Sequence, residues 1–179
     1  MTRPRRLPFV LLFGWMLLAG CKTMQHEVRI QAQPAEVWEV LADLEAYEEW
    51  NPFFVKAVGE LKVGEKLQIT MQPVGKKTQS MKPKVLVVKQ GKELVWRGRL
   101  GIPWLFDGRH TFTIERIDEH TVLFRQHERF SGLLVPFAGL GPYREGWERM
   151  DAALEKRVEG AALKGPAGGG AEKEKARPQ

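Results

Sequence analysis

Cysteine is almost absent from the sequence, which has one, Cys21, among 179 residues. A disulfide within the chain is therefore excluded, as is a zinc site built on several cysteines. The four histidines, His26, His110, His120 and His127, are scattered and show no metal-binding spacing. The phosphate-binding motif G-x-G-x-x-G and the nucleophile motif G-x-S-x-G are also missing. We therefore expect no metal and no cofactor, and nucleotide-dependent or hydrolytic chemistry is disfavoured.

The chain also lacks a large net positive charge over its central region. The formal net charge is +6, but three arginines in the first six residues and a net two positive charges in the last twenty account for most of it. About +1 remains over residues 21–159. A protein that binds a phosphate backbone carries an excess of Lys and Arg in its folded part. The sequence therefore predicts no nucleic-acid partner.

No apolar run is long enough to cross a bilayer, which needs about twenty residues. The longest, residues 7–18, follows a basic start and is typical of a signal peptide. It ends in Leu18-Ala19-Gly20-Cys21, which resembles the bacterial lipobox, in which the chain is cut on the amino-terminal side of the cysteine and the cysteine thiol and new amino terminus are acylated. We expect residues 1–20 to be a signal peptide and Cys21 to be lipidated, so that the membrane is a partner. An ordinary secretory signal or an uncleaved anchor is the alternative.

The residue after the cysteine bears on location. Lys22 stands where inner-membrane lipoproteins of Gram-negative bacteria have Asp, and its presence resembles a signal for sorting to the outer membrane. The expected location is the bacterial cell envelope, with an outer-membrane anchor facing the periplasm.

The remaining chain has the pattern of one α+β domain. We expect a linker at 21–25, a domain at 26–160 and a disordered tail at 161–179, where glycine and charged residues show no apolar period. The domain begins with a strand at 26–31, a helix that starts at Pro34 and a short helical turn at 44–50. Six further strands follow at 54–61, 65–72, 81–89, 93–100, 109–117 and 121–130. Their short connections exclude crossovers, so the sequence predicts a single antiparallel meander.

The last helix is predicted at 141–160 and is amphipathic. Its apolar stripe is Leu140, Tyr143, Trp147, Met150, Leu154 and Val158. Charged residues, Asp151 among them, are expected on the opposite face. A helix of about 27 Å could lie along a sheet and cover one side of it.

Four segments carry a resemblance to a known family. They are Pro34-Ala35-Glu36-Val37-Trp38, the residues 47–54 (YEEWNPFF), the residues 106–112 (FDGRHTF) and the residues 128–134 (ERFSGLL). Together they resemble the START-related SRPBCC superfamily of polyketide cyclase/dehydrase and lipid-transport proteins. The resemblance implies a helix-grip (START-like, Bet v 1-like) fold: a curved antiparallel sheet wrapped around a long C-terminal helix, with two short helices after the first strand. It also implies an apolar cavity between sheet and helix.

Alternation along the strands predicts which side chains face that cavity. The expected ligand-binding residues are Met71, Trp96, His110, Phe112, Phe124, Gln126, Glu128, Phe130, Tyr143, Trp147 and Met150. Most are apolar or aromatic, which suits an amphiphilic ligand. Each could also belong to an ordinary core.

His110 and Glu128 are the two ionisable groups of the inward set. As a pair they could act as general acid and base on an enolisable ligand. They could instead satisfy each other as a buried pair or orient a ligand head group.

Two loops and one basic stretch remain. The loops at 101–108 and 131–141 are rich in apolar residues, which suggests a cavity entrance or a contact with lipid, or else a cap on the core. Residues 76–99 hold eight basic residues and one acid, Glu93. Lysines there could protect sheet edges, or they could face anionic lipid.

The sequence thus predicts a lipid-anchored, monomeric envelope protein that binds or carries a hydrophobic, lipid-like small molecule. Two alternatives stay open: a cyclase or isomerase that uses His110 and Glu128, and a non-enzymatic interaction protein whose core is closed.

Overall fold

The computed structural model describes residues 20–162. The predicted signal peptide, apart from Gly20, and the predicted disordered tail from residue 163 onward lie outside this range. The strands are β1 (Gly20–Ile30), β2 (Phe54–Val58), β3 (Gln68–Met71), β4 (Gln79–Met81), β5 (Lys84–Lys89), β6 (Glu93–Leu100), β7 (Phe106–Arg116) and β8 (Val122–Gly132). The helices are α1 (Pro34–Ala42), α2 (Tyr47–Trp50) and α3 (Gly141–Ala162), with a 3₁₀ turn at Val135–Phe137.

The α+β prediction is confirmed: a curved antiparallel sheet holds a long C-terminal helix. The predicted single meander is wrong, because the strands form two sheets. One has the order β1-β8-β7-β6-β5 and the other β2-β3-β4. The strand predicted at 81–89 is split at Pro83, which lacks the N–H that a ladder requires. An isolated bridge between Lys66 and Lys84 joins the two sheets.

The predicted linker at 21–25 is also wrong, because β1 begins at Gly20. Residues 20–30 pair without interruption with β8, from Gly20 opposite Gly132 to Ile30 opposite Val122. Met24 is buried in the middle of this pairing. Thr23 and Gln25 lie on the solvated side of this edge strand, whereas Lys22, on the same side as Met24, donates hydrogen bonds to the carbonyls of Pro136 and Ala138.

The turn after α2 directs two aromatic rings into the core. The Asn51 side-chain carbonyl accepts hydrogen bonds from the backbone N–H groups of Phe53, at 3.0 Å, and Phe54, at 2.8 Å. Both rings are buried and pack against each other with centroids 4.7 Å apart. This Asx-type turn fixes the point where the helical region gives way to strands.

Helix α3 buries most of its predicted stripe, namely Trp147, Met150, Leu154 and Val158. It extends two residues beyond its predicted end at 160. Asp151, expected on the solvent face, is completely buried. Gly146 permits the close approach of α3 to Phe53, since a Cβ at this position would overlap the Phe53 ring.

Candidate functional site

A cavity of about 1080 Å³ lies between the concave face of the large sheet, the small sheet and the first half of α3. From the large sheet it is lined by the ends of β6, β7 and β8 that lie near residues 98–110 and 128–130. The cavity therefore occupies one end of the sheet only.

Six of the eleven residues predicted to bind a ligand line this cavity: Met71, His110, Glu128, Phe130, Tyr143 and Trp147. The other five, Trp96, Phe112, Phe124, Gln126 and Met150, are buried and are not among its lining residues. They form the solid core at the other end of the sheet, where Trp96 and Phe112 pack edge to face at 4.8 Å. Alternation identified the inward face correctly, but not the point along the strands where the helix separates from the sheet.

Sequence reasoning missed a second part of the lining. The small sheet contributes Phe54, Gln79 and Met81, the ends of β6 and β7 contribute Leu100 and Phe106, and the segment after β8 contributes Leu134 and Phe137. Gln79 accepts a hydrogen bond from the Tyr143 hydroxyl at 2.9 Å, which ties the small sheet to α3. The apolar density of the two predicted loops was the signal for three of these seven residues, Phe106, Leu134 and Phe137.

His110 and Glu128 are directly opposed on β7 and β8. The His110 Nδ1 atom lies 3.6 Å from Glu128 Oε2. The His110 ring is buried between Phe112, at a centroid distance of 4.2 Å, and Trp147, at 4.6 Å. The Glu128 side chain is 18% exposed. Among the described residues that line the cavity, it is the one acidic side chain.

Burial decides the charge of this pair. Desolvation lowers the pKa of His110 to about 3, despite a hydrogen bond with Gln126 that acts in the opposite direction. Desolvation also raises the pKa of Glu128 to about 8. At neutral pH the imidazole is therefore neutral and the carboxyl is mostly protonated. The cavity wall presents an uncharged acid that can donate a hydrogen bond.

A chain of hydrogen bonds connects His110 to the protein surface. His110 Nε2 lies 3.0 Å from the Gln126 side-chain carbonyl, and the Gln126 amide donates to Asp151. The second Asp151 oxygen lies 2.5 Å from His26 Nδ1, and the His26 side chain is 29% exposed. Burial raises the pKa of Asp151 to about 6, although hydrogen bonds from His26 and Gln126 act against the rise. Neither Asp151 nor His26 was predicted to belong to the site.

This chain selects one tautomer of His110. Because the Gln126 amide nitrogen faces Asp151, the Gln126 oxygen faces the imidazole, so His110 Nε2 carries the proton. Nδ1 is then an acceptor and points towards Glu128. At 3.6 Å the two atoms are beyond hydrogen-bond distance, so the Glu128 proton is free for a polar group of a ligand in the cavity.

Gly108 makes room for the Glu128 carboxyl. A Cβ at Gly108 would overlap Glu128 Oε1 and come within 3.4 Å of the Phe130 ring. The carboxyl therefore lies over the β7 backbone at the one position without a side chain. Gly98, the cross-strand partner of Gly108, has open space, since its Cβ would meet only Met81 Sδ at 3.5 Å.

Within residues 20–162, no three His, Cys, Asp or Glu side chains come together as a metal site. None of the helices in that range is long and apolar enough to span a bilayer.

An antiparallel sheet that grips a C-terminal helix over an apolar cavity places the protein in the START/Bet v 1 class of helix-grip folds. Residues 22–164 match the family described as polyketide cyclase / dehydrase and lipid transport, and the chain belongs to this family. Among curated proteins, none has a sequence that matches the chain.

Solved structures with the same fold come from bacteria and plants. A START superfamily protein from Mycobacterium smegmatis has a TM-score of 0.63 at 19% identity, over 78% of this chain and 98% of its own. Major latex-like protein 151 from Panax ginseng has a TM-score of 0.64 at 10% identity, over 77% and 97%. Norcoclaurine synthase from Thalictrum flavum, solved with dopamine and hydroxybenzaldehyde, has a TM-score of 0.61 at 16% identity, over 93% and 100%. At these identities the likeness concerns the fold alone.

Proposed function

We propose that the protein binds or carries a hydrophobic, lipid-like small molecule in the cavity under α3, while an acylated Cys21 holds it at a bacterial envelope membrane. The cavity is the main observation that supports the ligand-binding part of this proposal. Its volume of about 1080 Å³ lies slightly above the roughly 300–1,000 Å³ usual for small-molecule sites. The family description, which includes lipid transport, supports the same ligand class.

The polar groups of the lining favour an amphiphile with one hydrogen-bonding end. Glu128, neutral at pH 7, would donate to a carbonyl or hydroxyl oxygen of the ligand. The aromatic and aliphatic side chains around it, such as Phe54, Met71 and Trp147, would contact the apolar part. An anionic head group, such as a fatty-acid carboxylate, would instead pair with the basic side chains of the lining, Lys56, Lys76, Lys82 and Arg99.

Displacement of a fluorescent fatty-acid probe tests the proposal, with a cavity-filling variant as the discriminating reagent. Gly98→Phe would place a ring in the cavity, whereas Gly98→Ala adds only a methyl group with an ordinary contact. We expect the probe to bind the parent and Gly98→Ala alike, and to bind Gly98→Phe at least tenfold more weakly. Equal binding by all three proteins would contradict the proposal.

The anchoring half of the proposal rests on the lipobox and on the exposure of Cys21. Labelled palmitate should be incorporated into the chain in bacterial cells and should be absent from Cys21→Ala. Labelling of Cys21→Ala at the level of the parent would contradict acylation at this position.

An enzymatic function is the second candidate, and the His110–Glu128 pair favours it. A protonated carboxyl beside a neutral imidazole could act as general acid on an enolisable carbonyl ligand. Norcoclaurine synthase has the same fold and is an enzyme by name. Deuterium exchange next to the carbonyl of a bound ketone, lost in both Glu128→Gln and His110→Ala, would support this function. Retention of exchange in both variants would remove it.

The third candidate, an interaction protein with a closed core, requires side chains to fill the space under α3. The cavity favours a ligand-binding protein over this alternative.

A further inference from the structure

One end of the large sheet carries a cluster of exposed apolar side chains, which we call the edge patch. It consists of Leu100, Ile102, Trp104, Leu133, Leu134 and Phe137. Trp104 is 83% exposed and Phe137 is 79% exposed. Hydrogen bonds from the Leu133 and Leu134 N–H groups to the carbonyls of Trp104 and Leu105, at 2.9 and 3.0 Å, join the two loops into one surface. Soluble surfaces seldom expose so many large apolar groups together.

The backbone holds Trp104 outward at a conformational cost. Its φ of 67° lies in the left-handed region, which a tryptophan rarely adopts. The Asp107 side chain lies 3.4 Å from the Trp104 N–H and also pairs with Arg99 at 2.6 Å. The exposed indole is therefore part of an organised loop.

The N-terminal segment reaches the described chain at this same end. Gly20 is paired with Gly132, and a Cβ at Gly20 would meet Pro136 at 2.7 Å. Cys21 already belongs to β1, so no linker separates an acyl group on Cys21 from the sheet. The undescribed residues before Gly20 include the apolar run at 7–18. Whether that run is cleaved or retained, the lipid-embedded group is attached beside the edge patch.

A row of three exposed arginines lies just behind the edge patch. Arg97, Arg109 and Arg129 are direct cross-strand partners on β6, β7 and β8. Like charges in this arrangement repel one another. Arg99 and Asp107, which are paired two residues nearer to the edge patch on β6 and β7, form an ion pair with each other. An anionic surface would relieve the repulsion.

The edge patch also borders the cavity. Leu100, Leu134 and Phe137 belong to both. Lys76 and Lys82 lie on the small-sheet side of the cavity lining and add positive charge. An apolar rim, a basic row behind it and an attached lipid group match the layers of an anionic membrane surface.

We propose that the edge patch inserts into the anionic lipid leaflet that carries the anchor, so that the cavity exchanges its ligand directly with the acyl-chain region. The proposal rests on the membrane anchoring and hydrophobic ligand described under the proposed function. Trp104 and Phe137 lie among the acyl chains, and the arginine row contacts the phosphates.

Quenching of Trp104 by brominated lipid tests the insertion. The full chain is reconstituted into vesicles of phosphatidylethanolamine and phosphatidylglycerol with brominated acyl chains, and vesicle association is verified by flotation. The parent should show a quenched component that is absent from Trp104→Phe. Identical quenching in the two proteins, or no flotation, would overturn the proposal.

A charge-matched pair of variants tests the role of the arginine row. Replacing Arg97, Arg109 and Arg129 by Gln should remove most of the Trp104 quenching, as should high salt. The control replaces Arg29, Lys92 and Arg116, which are exposed towards the other end of the sheet, roughly 17–23 Å away at about 3.3 Å per residue. The control should retain the quenching. Equal loss in both triple variants would contradict a localised contact.

Two further outcomes distinguish failure of the membrane docking from failure of the ligand-binding function on which it rests. Quenching without binding of the fatty-acid probe would overturn the ligand function and leave the docking intact. Flotation and probe binding without Trp104 quenching would overturn the docking alone. If the patch instead contacts a second copy or residues 7–18, Trp104 will be shielded equally from brominated and aqueous quenchers, which also contradicts insertion.

Discussion

His26 and Asp151 lie 125 residues apart in the sequence, and His26 Nδ1 lies 2.5 Å from Asp151 Oδ2. The contact joins β1 to α3 and closes a hydrogen-bonded chain through Gln126 to His110. Burial of Asp151 is tolerated because both of its oxygens accept hydrogen bonds. Through Gln126, this carboxylate fixes the His110 tautomer and hence the group that faces Glu128.

Loss of Asp151 should destabilise the fold strongly. Asp151→Ala would leave the Gln126 amide without an acceptor and His26 without its partner, and removal of one member of a buried polar pair costs about 2–4 kcal/mol. Glu148→Ala, on the exposed face of the same helix, should change the free energy of unfolding by less than about 0.5 kcal/mol. Urea denaturation of the two variants checks this difference. Similar stabilities would mean that the buried chain contributes little.

The pH dependence of stability should reveal Glu128. Its pKa is about 8 in the folded protein against an ordinary value of 4.5, so the folded state resists an ionisation that the unfolded chain permits. Glu128 therefore lowers the free energy of unfolding progressively as the pH rises from about 4.5 to 8, and has no such effect below that window.

Glu128→Gln removes this penalty. Its Tm should match that of the parent near pH 4 and exceed it above pH 8, by the equivalent of more than about 1 kcal/mol. His110 and Asp151 titrate in both proteins, so the difference between the two curves isolates Glu128. A constant difference across the range would show that Glu128 is not held protonated.

Gly108 should affect ligand binding more than stability. A methyl group there would displace the Glu128 carboxyl. Gly108→Ala should therefore weaken the binding of a carbonyl-bearing amphiphile about tenfold, because the ligand loses one hydrogen bond, which contributes about 1.5 kcal/mol. Gly98→Ala, on the partner strand, is the matched control and should bind normally. Titration calorimetry measures both. Equal affinities would separate Glu128 from ligand recognition.

Trp147 should report on occupancy of the cavity. It lines the cavity and lies 4.6 Å from His110 between ring centroids. Addition of a lipid should shift the emission of the parent, and the same addition should produce no shift in Trp147→Phe. A shift that persists in Trp147→Phe would assign the response to another tryptophan, with Trp104 as the first one to test.

Periodicity predicted the elements of this fold well where one face of an element is buried. Strand β6 was predicted with its observed bounds, 93–100, from the turn signals that flank it, and Leu94, Val95 and Trp96 are all buried. By contrast, one strand was predicted across Pro83, at 81–89, and a single meander was therefore expected where the structure has two sheets. The missing N–H of that proline was the available signal.

Asp151 shows a different limit. It lies four residues after Trp147 and three before Leu154, which is the spacing of the buried stripe. The prediction placed Asp151 on the solvent-facing side because it is charged. Its partners, Gln126 and His26, are distant in sequence, so no local pattern indicated that the charge could be buried. Local patterns identify a buried face, but the pairing that permits a buried charge is known only from the fold.

The central claim is that the cavity holds an amphiphilic ligand, and native mass spectrometry tests it most directly. Residues 20–179 with Cys21→Ser, purified from bacterial cells without detergent, should carry a non-covalent mass that collisional activation releases. Gly98→Phe should lack this mass, and Gly98→Ala should retain it. An unliganded parent that also takes up no added fatty acid or phospholipid would contradict the account.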